Sequence, residues 1–310
     1  MYLGSVRFFK HLILSVIALL IIVPTVGCIY LTVQNQALKS LNLEQIAEIQ
    51  ASAADAEQGS QDRDIPAAVY ASDLTPDEPE ANTIHYQLLY PQLYVENDFQ
   101  YITETENTVY LTFDDGPTAL TPHVLNILRD HDVRATFFVV YRDSEMAREM
   151  YNRIVDEGHT LAIHSTTHNY RTIYQSVDAF LDDFAILSDM LEEVTGVKPE
   201  IFRFPGGSFN NHNKEIQHEL SAEMLRRGYT YYDWDVSSGS STNTATASSI
   251  YSNVMRGISG KKQATVLMHD AGTAATVTTL PEIISSLKAS GYKFEVLSKK
   301  IRPACFDYKN

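Results

Sequence analysis

Cysteine is scarce: Cys28 and Cys305 are the only two in 310 residues. Two cysteines exclude a scaffold of several disulfides and a zinc cage built of thiolates, so any metal must be held by histidines and carboxylates. Basic residues are also few. Lys and Arg number 24 against 39 Asp and Glu, a formal charge of −15. Proteins that bind nucleic acid draw affinity from Lys and Arg neutralising phosphates, and this balance argues against such a partner. Disorder throughout is excluded from the other side, because 44% hydrophobic and 10% aromatic residues suffice to fill a core. The length fits one large domain or two small ones.

Charge is missing altogether from Leu12 to Leu38. The apolar stretch Leu12–Val33 would span roughly 33 Å as a helix, enough for a hydrocarbon core of about 30 Å. Arg7 and Lys10 precede it, which predicts a cytoplasmic N-terminus, a single anchor within residues 1–33, and a remainder outside the plasma membrane. Two alternatives also export the chain: a cleaved signal peptide that leaves a secreted protein, and a lipoprotein box at Thr25-Val26-Gly27-Cys28. Residues 34–83 are rich in Ala, Gln, Ser and acids, with Pro66, Pro76 and Pro79 towards the end. That composition predicts a solvated extracellular stalk.

From residue 84 the texture changes. Short β-rich runs recur at Val109–Phe113, Ala135–Val140, Thr160–Ile163, Ile201–Phe204, Tyr229–Val236, Thr265–Met268 and Tyr292–Leu297. Helical spacing fills most of the gaps, at Thr121–Arg129, Ser144–Glu157, Val177–Thr195, Lys214–Arg227 and Leu280–Ser290. Alternating strands and helices predict βαβ units, a parallel sheet and an α/β class, and the even spacing favours a barrel over an open sheet.

Ionisable residues gather at the strand ends. Asp114 and Asp115 end the first, His164 the third with His168 four residues on, Arg203 the fourth, Asp235 the fifth, and His269-Asp270 the sixth. In parallel barrels the site is built at the C-terminal ends of the strands. His and carboxylate suit zinc and its neighbours, and three such ligands leave a position open for water. Adjacent carboxylates do not readily share one ion, so one of the aspartates is expected to bind metal and the other to act as a base. The remaining histidines, among them His159 and His212, are expected in loops or on polar helix faces.

Thr112-Phe113-Asp114-Asp115-Gly116-Pro117, His164-Ser165-Thr166-Thr167-His168, Arg203-Phe204-Pro205-Gly206-Gly207 and Leu267-Met268-His269-Asp270, in this order, resemble four of the five motifs of the polysaccharide deacetylases, carbohydrate esterase family 4. The resemblance covers about residues 84–300 and implies a distorted (β/α)₇ barrel. It implies that Asp114 is the general base, that Asp115, His164 and His168 hold a divalent metal (Zn²⁺ first, Co²⁺ or another transition metal next), and that Arg203 orients the base. It further implies that Gly206, with Pro205 beside it, contributes a backbone N–H to the oxyanion site, that Leu267 lines the acetyl pocket, and that His269 protonates the leaving amine. The implied reaction is hydrolysis of N-acetyl groups on N-acetylglucosamine units, with peptidoglycan first among the polymers. The catalytic domain, residues 84–310, is expected to be monomeric.

The fifth motif departs from the family. An Asp-Trp pair belongs there, but counting from Trp234-Asp235-Val236 those places hold Ser240 and Ser241. A serine cannot raise the pKa of His269 as a carboxylate would. Asp235 and Asp270 are the candidates to replace it, and the pocket tryptophan is expected to be absent. This leaves an alternative open, a catalytically impaired deacetylase fold that binds glycan or regulates. A non-haem iron oxygenase, which also uses two His and a carboxylate, is disfavoured by the residue order and the second aspartate.

Overall fold

Strand β1 (Thr108–Asp114) is buried along its whole length, as expected of a parallel strand covered on both faces. The structure, a computed structural model, describes residues 84–102, 107–242 and 244–306. The expected anchor (1–33) and the whole of the stalk (34–83) lie outside these residues, and among the described residues no helix is long and apolar enough to cross a membrane.

After β1 come α1 (Thr121–Asp130), β2 (Thr136–Val140), α2 (Glu145–Asp156), β3 (Thr160–Ser165), the single turn α3 (Tyr170–Ile173) and α4 (Val177–Thr195). Then follow β4 (Ile201–Phe202), α5 (Gln217–Arg226), β5 (Thr230–Tyr231), β6 (Val236–Ser237), α6 (Ala247–Ile258), β7 (Gln263–His269), α7 (Ala275–Ala289) and β8 (Lys293–Phe294). All pairings between these strands are parallel, in the order β5-β4-β3-β2-β1-β7-β6, with β8 beside the start of β1. That is the cyclic order of a seven-stranded barrel with one seam left unpaired, between β5 and β6.

The seam corrects one expectation. Tyr229–Val236 reads as one strand, but the chain changes partners inside it: the Tyr232 N–H donates to Phe202 O on the β4 side, and the Asp235 N–H donates to Thr265 O on the β7 side. No ladder bridges the gap, yet the carbonyls left in it are not orphaned. Arg203, fully buried, donates from Nε to Tyr232 O at 2.9 Å and from Nη2 to Asp233 O at 2.9 Å. A guanidinium thus does along this seam what strand pairing does elsewhere.

Side chains alternate across each strand. Val109, Leu111 and Phe113 join the large core between sheet and helices, whereas Tyr110 joins an inner cluster with Phe138, Ala162, Ile201 and Tyr232. A period of two then carries Asp114, His164 and His269 inward. Register completes the arrangement, since Asp114 pairs with Phe138 on one side and with His269 on the other.

Helix α4 shows why a sequence stretch starts and stops where it does. The Ser176 side chain accepts from the Ala179 N–H at its start, and Gly196, at φ 70°, ends it with an N–H bonded to Glu192 O. Helix α6, which the sequence expectations lack, rests Ile250, Val254 and Ile258 on the core. It lies so close to β6 that a Cβ on Gly257 would meet Val236 Cγ1 at 2.4 Å.

Candidate active site

Asp114 ends β1 and Asp115 follows it with φ 72°, a left-handed conformation that Asp tolerates better than most side chains. The turn sends the two carboxylates different ways. Asp114 Oδ1 accepts from Arg203 Nη1 at 2.7 Å, while Asp115 Oδ1 lies 3.6 Å from His164 Nε2 and 3.4 Å from His168 Nε2. The other Asp114 oxygen, Oδ2, stands 3.9 Å from His164 Nε2.

Three features fit these residues to a metal ion. Asp115 Oδ1 is buried without any hydrogen-bond partner, a costly arrangement for a carboxylate oxygen unless a cation sits beside it. His164 Nδ1 is 2.8 Å from Arg203 O; a carbonyl only accepts, so Nδ1 carries the proton and Nε2 presents a lone pair. Finally, ligand atoms about 2.1 Å from a common ion at tetrahedral angles lie about 3.4 Å apart, close to the two distances from Asp115. One ligand atom from each of Asp115, His164 and His168 lies within 4.8 Å of the others. Burial, followed by the neighbouring His164, pushes the His168 pKa down and favours its neutral form.

The loop carrying the two histidines is anchored by a residue that sequence reasoning missed. Asp183, inside α4, accepts from Ser165 Oγ and the Thr166 N–H through Oδ2, and from the Thr167 N–H and Oγ1 through Oδ1, all at 2.7 to 2.8 Å. Ser165 Oγ in turn accepts from the His168 N–H at 2.8 Å. The backbone turns at His168 (φ 51°) and brings its ring to 5.0 Å from that of His164. The signal available in the sequence was a lone acid on the otherwise apolar face of a helix.

Opposite stands His269, at the end of β7. Ser240, fully buried, is its partner: Oγ accepts from the His269 N–H at 2.9 Å and lies 3.1 Å from Nδ1, with Ser238 Oγ donating to it at 2.9 Å. Serine therefore occupies the place counted for the family carboxylate. Neither proposed substitute reaches His269. The Asp235 carboxylate accepts from the Thr265 N–H near the start of β7, away from this rim. Asp270 turns towards the loop after β1, where Oδ2 accepts from Thr121 Oγ1 at 2.5 Å and would meet a Cβ on Gly116 at 2.4 Å. Burial raises its pKa to about 7.

Asp114, Asp115, His164, His168, Gly206, Leu267 and His269 line one cleft of about 390 Å³, within the usual range for small-ligand sites. Arg203 lies beneath it, also bonded to Thr112 Oγ1 at 2.8 Å and stacked 4.1 Å from the Phe138 ring. Pro205 is not part of the lining; its carbonyl accepts from the Tyr174 hydroxyl at 2.7 Å. Two aromatic residues join the lining unforeseen. Trp234 is one, so the tryptophan expected to be absent reaches the cleft from the β5–β6 seam instead. Tyr170 is the other; burial, with the Asp115 and Asp114 charges, holds its hydroxyl above the usual phenol pKa. Thr276 and Thr279 are buried in α7. His159, expected at the surface, is buried too, with Nδ1 accepting from the Ala135 N–H at 3.1 Å.

Comparisons with known proteins point to one family. A family model described as polysaccharide deacetylase matches residues 102–225. A Bacillus subtilis protein whose name places it among polysaccharide deacetylases is 35% identical over 208 residues, covering 64% of this chain and 70% of that one. A Bacillus cereus peptidoglycan-N-acetylglucosamine deacetylase is 31% identical over 191 residues, covering 60% of this chain and 67% of its own length. The catalytic domain of a peptidoglycan N-acetylglucosamine deacetylase from Eubacterium rectale superposes with a TM-score of 0.65 at 33% identity, covering 68% of this chain and 97% of that domain.

Proposed function

Since the chain belongs to the polysaccharide deacetylase family, carbohydrate esterase family 4, we propose that it removes N-acetyl groups from N-acetylglucosamine units of an extracellular polysaccharide in a metal-dependent hydrolysis. Peptidoglycan is the favoured polymer, being the one named for the Bacillus cereus and Eubacterium rectale relatives. The observation that carries this proposal is the unpartnered Asp115 Oδ1 between His164 and His168, in one cleft with Asp114 and His269.

Asp115, His164 and His168 would hold the ion, with zinc the first choice for this donor set. When bound, such an ion polarises the acetyl carbonyl and makes water more acidic. The chain's own groups do the rest. Asp114 has one oxygen fixed by Arg203 and the other 3.9 Å from His164 Nε2, so it takes a proton from the attacking water. The Gly206 N–H donates to the carbonyl oxygen as negative charge develops there. Leu267, buried in the cleft wall, packs the acetyl methyl. As the C–N bond breaks, His269 gives the leaving nitrogen a proton, and acetate and a free sugar amine remain. Ser240 supports His269 with a hydroxyl where a carboxylate would favour the protonated ring more strongly. This contact is what supports the second reading, a protein of low turnover that binds glycan.

The charge-free run Leu12–Val33 behind Arg7 and Lys10 supports a single-pass placement with the catalytic part outside the plasma membrane. The test of function is acetate release from N-acetylglucosamine oligomers and from peptidoglycan by the purified full chain, with Zn²⁺ or Co²⁺ and with chelator. Release that stops with chelator and returns with metal is expected; no release from any acetylated glycan refutes the proposal.

A further inference from the structure

We propose that the Tyr170 hydroxyl is a second hydrogen-bond donor to the developing oxyanion, acting beside the Gly206 N–H; this rests on the deacetylase reading above. Tyr170 opens the turn after His168, where the Asn169 side chain caps the short helix α3 by accepting from the Arg171 N–H. Its ring is held from several sides: centroids lie 5.3 Å from His168, 5.2 Å from His212 and 6.1 Å from Tyr174, and Tyr174 is itself tied to Pro205 O. The ring is thus wedged between the histidine loop and the loop of Pro205, Gly206 and Gly207.

The hydroxyl comes out over Gly206. A Cβ built on that glycine would lie 3.2 Å from Tyr170 Oη and 3.3 Å from its Cζ. Gly206 has φ 78°, so glycine serves both the backbone conformation and the close approach of the phenol. A Cβ is about 2.5 Å from its own nitrogen, so the hydroxyl sits within about 6 Å of the Gly206 amide. Two donors that each reach one oxygen at about 2.9 Å can be separated by up to about 5.8 Å. Among the described residues neither the Tyr170 hydroxyl nor the Gly206 N–H has a hydrogen-bond partner, and both residues line the cleft with Leu267.

The chemistry needs such a donor. Attack of water forms a C–O bond and moves the carbonyl π pair onto oxygen, the proton of water passes to Asp114, and collapse breaks the C–N bond with a proton supplied by His269. Tyr170 keeps its own proton throughout and contributes a hydrogen bond that strengthens as charge builds, which is the condition for lowering a barrier rather than tightening ground-state binding.

Tyr170→Phe removes the hydroxyl and leaves the ring against His168 and His212. The test measures kcat and KM for acetate release from an N-acetylglucosamine oligomer with the zinc-loaded full chain, together with zinc affinity by chelator competition. Loss of a single oxyanion donor typically lowers kcat by about 10²–10³-fold; at least a tenfold fall is expected here, with KM within twofold and zinc affinity unchanged. A kcat within threefold of the parent, a loss confined to KM, or a parallel fall in zinc affinity overturns the proposal. An inactive parent overturns the deacetylase reading itself, whereas an active parent with an equally active Phe variant overturns only the role given to Tyr170.

Discussion

Replacing Asp183 by asparagine keeps the side chain's size and removes its charge, at the point where one carboxylate ties down the whole Ser165–Thr167 segment. Each oxygen of Asp183 now accepts from two donors, the Ser165 hydroxyl and Thr166 N–H on one and the Thr167 N–H and hydroxyl on the other. An amide can accept both bonds of only one pair, because at the other its NH₂ group faces a backbone N–H that cannot accept and a hydroxyl that would have to reverse its role. Hydrogen bonds to a charged group contribute about 1.5–3 kcal/mol each, without strict additivity, so losing two should weaken the loop by about 3 kcal/mol. His168 sits at the end of that loop, and at about 1.4 kcal/mol per tenfold the loss corresponds to roughly 100-fold in metal affinity. That value lies at the upper end of the 10- to 100-fold typical of groups behind a metal's ligands. Competition with a chromophoric chelator reads zinc affinity directly, and thermal melts with and without zinc show whether the fold persists. An Asp183→Asn protein that binds zinc within threefold of the parent would show that Asp183 does not hold the histidine loop in its ligating shape.

Ser240→Asp should place a carboxylate against His269 Nδ1, now 3.1 Å from the serine oxygen. Because an adjacent anion favours the protonated imidazole, the high-pH limb of kcat is expected to move up by about one pH unit and kcat to rise; an unchanged profile would mean that another group already fills this role. His159 offers a test of stability against pH. Burial lowers its pKa from 6.5 to about 4, so between those values the unfolded chain binds the proton and the folded one does not, and stability must fall as pH drops from about 6.5 to 4. Thermal melts of the His159→Gln variant should show a shallower fall across that window than the parent; parallel curves would contradict the assignment. Asp270, raised to about 7, slopes the opposite way, so its contribution is cancelled by comparing the two proteins at each pH.

The strands that are buried on both faces were legible as apolar runs, and their register needed nothing more than a period of two to carry Asp114, His164 and His269 inward. Helix α4 was legible to the residue because Ser176 and Gly196 punctuate it. The seam was not, since Tyr229–Val236 has a strand's composition, and only the fold reveals that Arg203 takes up its carbonyls. Helix α6 was obscured by Ser248, Ser249, Ser252 and Gly257, although Ile250, Val254 and Ile258 recur at helical spacing and Thr246 with Ser249 forms a capping box. In the cleft, the residues carried by short motifs could be named in advance. Asp183 and Trp234 could not, because each arrives through packing of an element outside the motifs, and Tyr170, two residues after His168, could not because only the fold turns its ring towards Gly206. Asp235 misled for the same reason: its nominal place at a strand end meant little once that strand was divided in two.

Every step proposed for the cleft depends on Asp115, His164 and His168 jointly holding a divalent ion. Anomalous diffraction at the zinc absorption edge, from crystals of the zinc-loaded protein, tests it most directly. One strong peak is expected about 2.1 Å from Asp115 Oδ1, His164 Nε2 and His168 Nε2. No peak at that point in zinc-saturated crystals, or a peak reached by only one of the three side chains, would contradict it.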